Sequence, residues 1–325
     1  MRRLLLAAVT AAALTLTACG TTEPAADGTA EKTAERITLT DASGSEVELD
    51  GPAEKVVGTE WNIVESLISL GVDPAGVADV KGYRTWDTAV PLKNEPKDIG
   101  TRGEPSLDTI AALKPDLVVA TTDLPPAAVK QLRKIAPVLE VRPADASDPI
   151  GQMTENLDLI AEATGTTERA GKLKKEFDTK IAEGRKALAG AGLDGVPYAF
   201  ADGYVVSNQV SIRPFTSGSL IGAVNEKLGL ENAWTVKGDK AYGLGTTDVE
   251  GLTGLDDDVH FAYIGNDGDK NSNPFAGALA DDKVWTSLPF VKKDNVHRLP
   301  DGIWMFGGPE SMNQYIDSVV AALTR

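Results

Sequence analysis

The sequence predicts an α/β protein in which two α/β lobes, each on a central parallel sheet, are joined by a single long helix. Three observations predict it. Short apolar runs, such as Val56-Val57-Gly58, Leu117 to Ala120 and Val138 to Val141, alternate with stretches of helical periodicity. One stretch, Thr167 to about Ala189, places Ala170, Leu173, Phe177, Ile181 and Leu188 on one stripe. At ~1.5 Å per residue it spans roughly 35 Å, enough to cross from one lobe to another. After the break Gly190 to Gly195 the alternation resumes, with Tyr198-Ala-Phe-Ala, Val259 to Ile264 and Val296-His-Arg-Leu as strands.

The elements follow in order. Arg2 and Arg3 precede an apolar run, Leu4 to Leu16, and then Leu16-Thr-Ala-Cys19-Gly20. A basic start, a short apolar segment and small residues before a cut make an export signal. The segment is too short to span a bilayer comfortably. Cys19 is the single cysteine of 325 residues, so no disulfide framework exists. Its setting resembles a bacterial lipoprotein signal, which implies cleavage before Cys19 and lipid on its thiol and amine. Residues 1–18 are thus read as signal and 19–35, rich in Thr, Glu, Ala and Pro, as a flexible tether. Residues 36–165 are read as the N-terminal lobe, 166–190 as the connecting helix and 191–325 as the C-terminal lobe. Within the first lobe, Ile37 to Leu49 reads as a hairpin and Val72 to Ala78 as the start of a strand. Leu124 to Ala136 reads as a helix opened by Pro125-Pro126. In the second lobe, Leu220 to Leu228, Val249 to Leu255 and Glu310 to Thr324 read as helices.

The stretch Asp98-Ile-Gly-Thr-Arg102-Gly-Glu-Pro-Ser-Leu-Asp108 puts an arginine on a glycine-flanked turn, with Ser106 poised to cap the next helix. Arg102 is then either a solvated loop charge or a fixed donor aimed at a ligand. The net charge of −16 argues against a nucleic-acid partner and against adsorption to anionic lipid. Enzymatic motifs fail one by one. Gly190 to Gly195 fits GxGxxG but follows a helix, not a strand. Asp267, Asp269 and Asn271 begin like an EF-hand, but Ser272 and Ala278 occupy positions that need Gly and Glu. His260 and His297 sit in separate strands and read as structural rather than metal-ligating. No nucleophile is assembled with a base. What remains is Trp61, Tyr83, Trp86, Arg102, Tyr242, Trp304 and Phe306, all expected in loops after strands. Each alone can be packing; together they suggest an aromatic-walled cleft between lobes with few fixed donors.

On these residues the chain resembles the iron-siderophore binding proteins of ABC importers, the two-lobed class III periplasmic-binding-protein type with a helical backbone. The carrying segments are Gly58-Thr-Glu-Trp-Asn62, Gly82-Tyr-Arg-Thr-Trp86, Asp98 to Asp108, Gly229 to Trp234, Trp285 to Val291 and Leu299 to Gly307. The resemblance is to the ferric-hydroxamate branch. It implies that Arg102 donates to the ferric hydroxamate oxygens, and that Trp86, Trp304 and Tyr242 wall the pocket, with Phe306 where the family has a tyrosine. A family tyrosine that assists the arginine falls at Leu124, so that second donor is missing or replaced; Arg84 and Arg213 are the extra basic residues that an anionic ligand such as ferric citrate would demand beside Arg102. Asp108 and Glu250 match acidic residues that meet the permease, one per lobe, and read otherwise as ordinary helix N-terminal charges. The expectation is a non-enzymatic, monomeric lipoprotein on the outer face of the cell membrane, anchored through Cys19. It needs no cofactor or protein ligand to the iron, takes a ferric siderophore, and meets an ABC permease dimer. Ferric citrate, haem or cobalamin are the alternative ligands, and an extracellular α/β hydrolase the alternative class. The Ala/Gly-rich chain and polar tether lean towards a single-membrane bacterium.

Overall fold

The structure, a computed structural model, describes residues 36–207 and 209–325. The signal, tether and Cys19 lie outside the described residues. Strands β1 (Ile37–Thr40) and β2 (Glu46–Leu49) form the expected hairpin. Then come β3 (Val56–Gly58), α1 (Trp61–Ser69), β4 (Gly76–Val77), α2 (Val80–Trp86), β5 (Lys97–Asp98), α3 (Leu107–Leu113), β6 (Leu117–Thr121), α4 (Pro126–Leu132) and β7 (Val138–Val141). Their five strands make a parallel sheet in the order β5-β4-β3-β6-β7. Val56, Val57, Leu117, Val118 and Val119 are fully buried, which is why the strands read as continuous apolar runs.

Helices α5 (Pro149–Thr164) and α6 (Thr167–Gly190) follow. Helix α6 buries Ala170, Leu173, Phe177 and Leu188, four of the five residues of the predicted stripe. The second sheet uses β8 (Pro197–Val206), β9 (Gln209–Pro214), β10 (Glu231–Asn232), β11 (His260–Tyr263) and β12 (Val296–Arg298), in the order β10-β8-β11-β12 with β9 antiparallel to β8. Around it lie α7 (Leu220–Lys227), α8 (Lys283–Ser287), α9 (Pro289–Lys292) and α10 (Pro309–Leu323), which packs on α6. No helix among the described residues is long and apolar enough to cross a membrane.

Three local expectations change. The strand expected from Val72 is only Gly76–Val77, and Glu250–Gly254 is a 3-10 turn rather than an α-helix. Strand β8 does not stop at Ala201: it runs through Asp202-Gly203 into a hairpin with β9. Gly203 serves close approach there, since a Cβ would sit 2.8 Å from Pro274 Cγ and 3.2 Å from the Ser211 carbonyl oxygen.

Candidate functional site

The C-terminal ends of the parallel strands of both sheets supply the loops of one cleft. Arg102 stands on the loop after β5. That loop is clamped at its base by an antiparallel bridge between Gly100 and Pro105. Asp98 Oδ1 accepts the Gly100 N–H at 2.8 Å, and Gly100, at φ +95°, makes the turn that L side chains resist. Ser106 caps α3 by accepting the Thr109 N–H, as its position predicted. The guanidinium lies 4.0 Å from the Trp61 ring centroid and 5.4 Å from that of Trp304, and its Nη1 donates to Glu60 Oε2 at 3.1 Å. Stacking on two indoles and one ion pair fix the fork in place.

The aromatics form a chain of edge contacts across the two halves. Trp61 meets Trp304 at 4.8 Å between centroids, Trp304 meets Phe306 at 5.2 Å, and Phe306 meets Tyr242 at 5.8 Å. These separations lie in the range where tilted aromatic pairs attract. Trp304 sits on the loop after β12, held where Thr88 N and Oγ1 both donate to the Gly302 carbonyl, at 2.8 and 3.0 Å. The Trp304 Nε1–H is buried and has no acceptor among the described residues. A buried donor without a partner costs about 1–3 kcal/mol.

Opposite Arg102, Arg213 projects from β9. Its register partner on β8 is Asp202, and Nε donates to Asp202 Oδ1 at 2.8 Å while Nη2 bonds Oδ2. The guanidinium lies 5.3 Å from the Phe306 ring centroid. Burial raises the Asp202 carboxyl above its usual range and Arg213 pulls it back; burial raises Glu60 and Arg102 opposes that. The Tyr242 hydroxyl donates to Asp123 Oδ2 at 2.5 Å, and burial together with that bond pushes its own pKa up.

Between these groups lie two adjoining depressions of about 360 and 230 Å³, both lined by Arg102, Arg213 and Trp304. Tyr242, Phe306 and Glu60 line the larger, and Trp61, Trp86 and Asp202 the smaller. Among the described residues no three His, Cys, Asp or Glu side chains converge as a metal cluster. The arrangement can hold an apolar ligand with outward oxygens: rings for its methylenes and two guanidinium forks for its acceptors.

Six of the seven sequence-named residues thus meet at one cleft, and Tyr83 does not. It is fully buried, with its hydroxyl donating to the Val90 carbonyl at 2.6 Å, and packs behind Trp61 and Trp304. Nor are the seven all on loops. Trp61 opens α1, and Tyr83 and Trp86 belong to α2, which Asp79 caps by accepting the Gly82 N–H. Asp108 and Glu250 are exposed in the first turns of α3 and of the Glu250–Gly254 turn. Leu124 is core, so no donor stands there. Arg84 is engaged by Glu95 at 2.7 Å. Glu60, Asp123 and Asp202 were missed because acidic residues abound in this chain. His260 and His297, far apart in sequence, are neighbours on β11 and β12, with Nδ1 of the first 3.1 Å from Nε2 of the second.

The iron(3+)-hydroxamate-binding protein FhuD of Escherichia coli (strain K12) is 26% identical over 267 residues, 80% of this chain and 84% of that protein. The Fe(3+)-citrate-binding protein YfmC of Bacillus subtilis (strain 168) is 28% identical over 251 residues, 77% of this chain and 74% of that one. Among solved structures, the FhuD of Vibrio cholerae bound to Fe3+-Desferal superposes with a TM-score of 0.73 at 23% identity, covering 83% of this chain and 98% of that one. It shares the two-lobed fold. The periplasmic binding protein family model matches residues 56–302, and this chain belongs to that family.

Proposed function

We propose that the protein is an extracytoplasmic solute-binding protein that captures a ferric siderophore of hydroxamate type and delivers it to an ABC permease. One observation carries the reading: Arg102 and Arg213 face one aromatic-walled cavity from opposite halves of the chain, each stacked on rings. A ferric trihydroxamate is coordinatively complete, so it asks of the protein only apolar walls and donors to its outer oxygens. Arg213 takes the place of the donor that Leu124 cannot supply.

Relatives named for hydroxamate and for citrate are about equally similar to this chain, so identity does not choose between them. Charge does. Both guanidiniums already have carboxylate partners, and an anionic citrate or catecholate complex would meet no surplus of positive charge. The carboxylates of Asp108 and Glu250, exposed and far from each other in sequence, are the groups we assign to the permease. Lipid on Cys19 is the proposed anchor, and a monomer the proposed state. Calorimetric titration with a ferric trihydroxamate, a ferric tricatecholate, ferric dicitrate, haem and cobalamin tests the reading. Binding of the trihydroxamate is expected; binding of only haem or cobalamin would overturn it.

A further inference from the structure

We propose that the cleft selects by ligand charge, and that Asp123, held at its rim by Tyr242, favours a ferric trihydroxamate bearing a positive pendant group. The inference rests on the hydroxamate reading and adds which hydroxamates are preferred.

The charges around the cleft do not cancel. Arg102 is matched by Glu60 at 3.1 Å and Arg213 by Asp202 in a two-bond pair. Asp123 is a fifth charge and has no basic partner among the described residues. Its contact is the Tyr242 hydroxyl, at 2.5 Å to Oδ2, which leaves Oδ1 open to a second donor. Besides Arg102, the arginines of the same half nearest to Asp123 in sequence are Arg133 and Arg142, occupied by Glu140 and Asp145 at 2.7 and 2.8 Å, and Arg84 is occupied by Glu95 at 2.7 Å. Asp123 is also close enough to raise the carboxyl of Glu60 and the phenol of Tyr242, both of which line the cavity. A carboxylate with no ion-pair partner among the described residues therefore stands behind Tyr242, which lines the ligand space.

That carboxylate is positioned before any ligand arrives. It belongs to the short loop between β6 and α4 and is tied to an aromatic ring packed against Phe306. An ammonium reaching the rim would gain a charged hydrogen bond without ordering a flexible side chain. A carboxylate at the same place would meet like charge.

The test uses one iron core with three tails. Ferrioxamine B ends in an ammonium, its N-acetyl derivative in a neutral amide and its N-succinyl derivative in a carboxylate. Affinities are read by intrinsic fluorescence at low salt, for the native chain and for Asp123→Asn. Asparagine can still accept from Tyr242, so the rim keeps its geometry. The native protein is expected to lose about fivefold in affinity at each step from ammonium to amide to carboxylate, the scale of a unit-charge contact in water. In Asp123→Asn each step should fall below about twofold, and about 1 M salt should compress the native steps likewise. Equal affinities for the three chelates would overturn the inference and leave the hydroxamate reading standing. Steps that persist undiminished in Asp123→Asn would also overturn it, assigning the preference to the overall charge of −16. Failure of all three to bind would overturn the hydroxamate reading itself.

Discussion

Glu65 and Ser311, 246 residues apart, make a two-point contact in the interior: Oε1 accepts the Ser311 N–H at 2.9 Å and Oε2 accepts its Oγ–H at 2.8 Å. Glu65 belongs to α1 and Ser311 to the first turn of α10, so a carboxylate from the first half of the chain serves as the missing cap of a helix in the second. The glycines before that helix make room for it. A Cβ on Gly307 would lie 2.1 Å from Glu65 Oε2. The loop bearing Trp304 and Phe306 thereby ends at a fixed point on α1, the helix that Trp61 opens.

Glu65→Ala should destabilise the fold by about 3 kcal/mol, because it strands a buried N–H and a buried hydroxyl at an uncapped helix start. Urea unfolding measures this. A loss below about 0.5 kcal/mol would mean that the contact contributes nothing to holding the two halves together.

Asp87 lies buried beside Glu65, and neither of its oxygens has a hydrogen-bond partner among the described residues. Burial, and then Glu65, push the Asp87 pKa up to about 10 from an ordinary 3.8. A carboxyl whose pKa is raised on folding holds a proton in the native state that the unfolded chain releases. Its stability contribution is full below about pH 4 and is lost as pH climbs towards 10. Thermal unfolding should show that decline, and Asp87→Asn should flatten it and raise the melting temperature at pH 9. An unchanged alkaline slope in the variant would place the titration elsewhere.

The histidine pair has the opposite sign. Burial holds both His260 and His297 below the usual 6.5, and His260 further disfavours a charge on His297. Their neutral forms support the fold above pH 6.5, and that support is lost as pH falls through the lowered values. The double variant His260→Gln, His297→Gln should therefore lose less stability between pH 7 and 5 than the native protein. Equal acid slopes would show that the pair is solvated on both rings.

Much of this was readable from local sequence. Asp98 to Asp108 encodes its own clamp, turn and cap, so the position of Arg102 follows from neighbours in the chain. The stripe of α6 likewise needs no distant partner. What escaped depends on long-range register. Asp202 and Arg213 are paired only because β8 continues through Gly203, whose glycine serves packing rather than a turn. His297 meets His260 because Ala262, two residues on from His260, pairs with His297 in the parallel register. Glu65 and Asp87 look like surface acids until α10 is docked over them. Tyr83 looked like a site aromatic for the same reason: in a sequence, a ring that lines a pocket and a ring that backs its wall read alike.

The most direct test of the central claim is intrinsic tryptophan fluorescence during titration with a ferric trihydroxamate, for the native protein and for Arg102→Ala. Trp61, Trp86 and Trp304 line the cleft, so bound iron should quench them. Saturable quenching at submicromolar ligand is expected. Arg102→Ala should weaken it by about 1.5–3 kcal/mol, a ten- to hundredfold rise in Kd, with an unchanged circular dichroism spectrum. Absence of quenching by any hydroxamate, or an affinity indifferent to Arg102, would contradict the account.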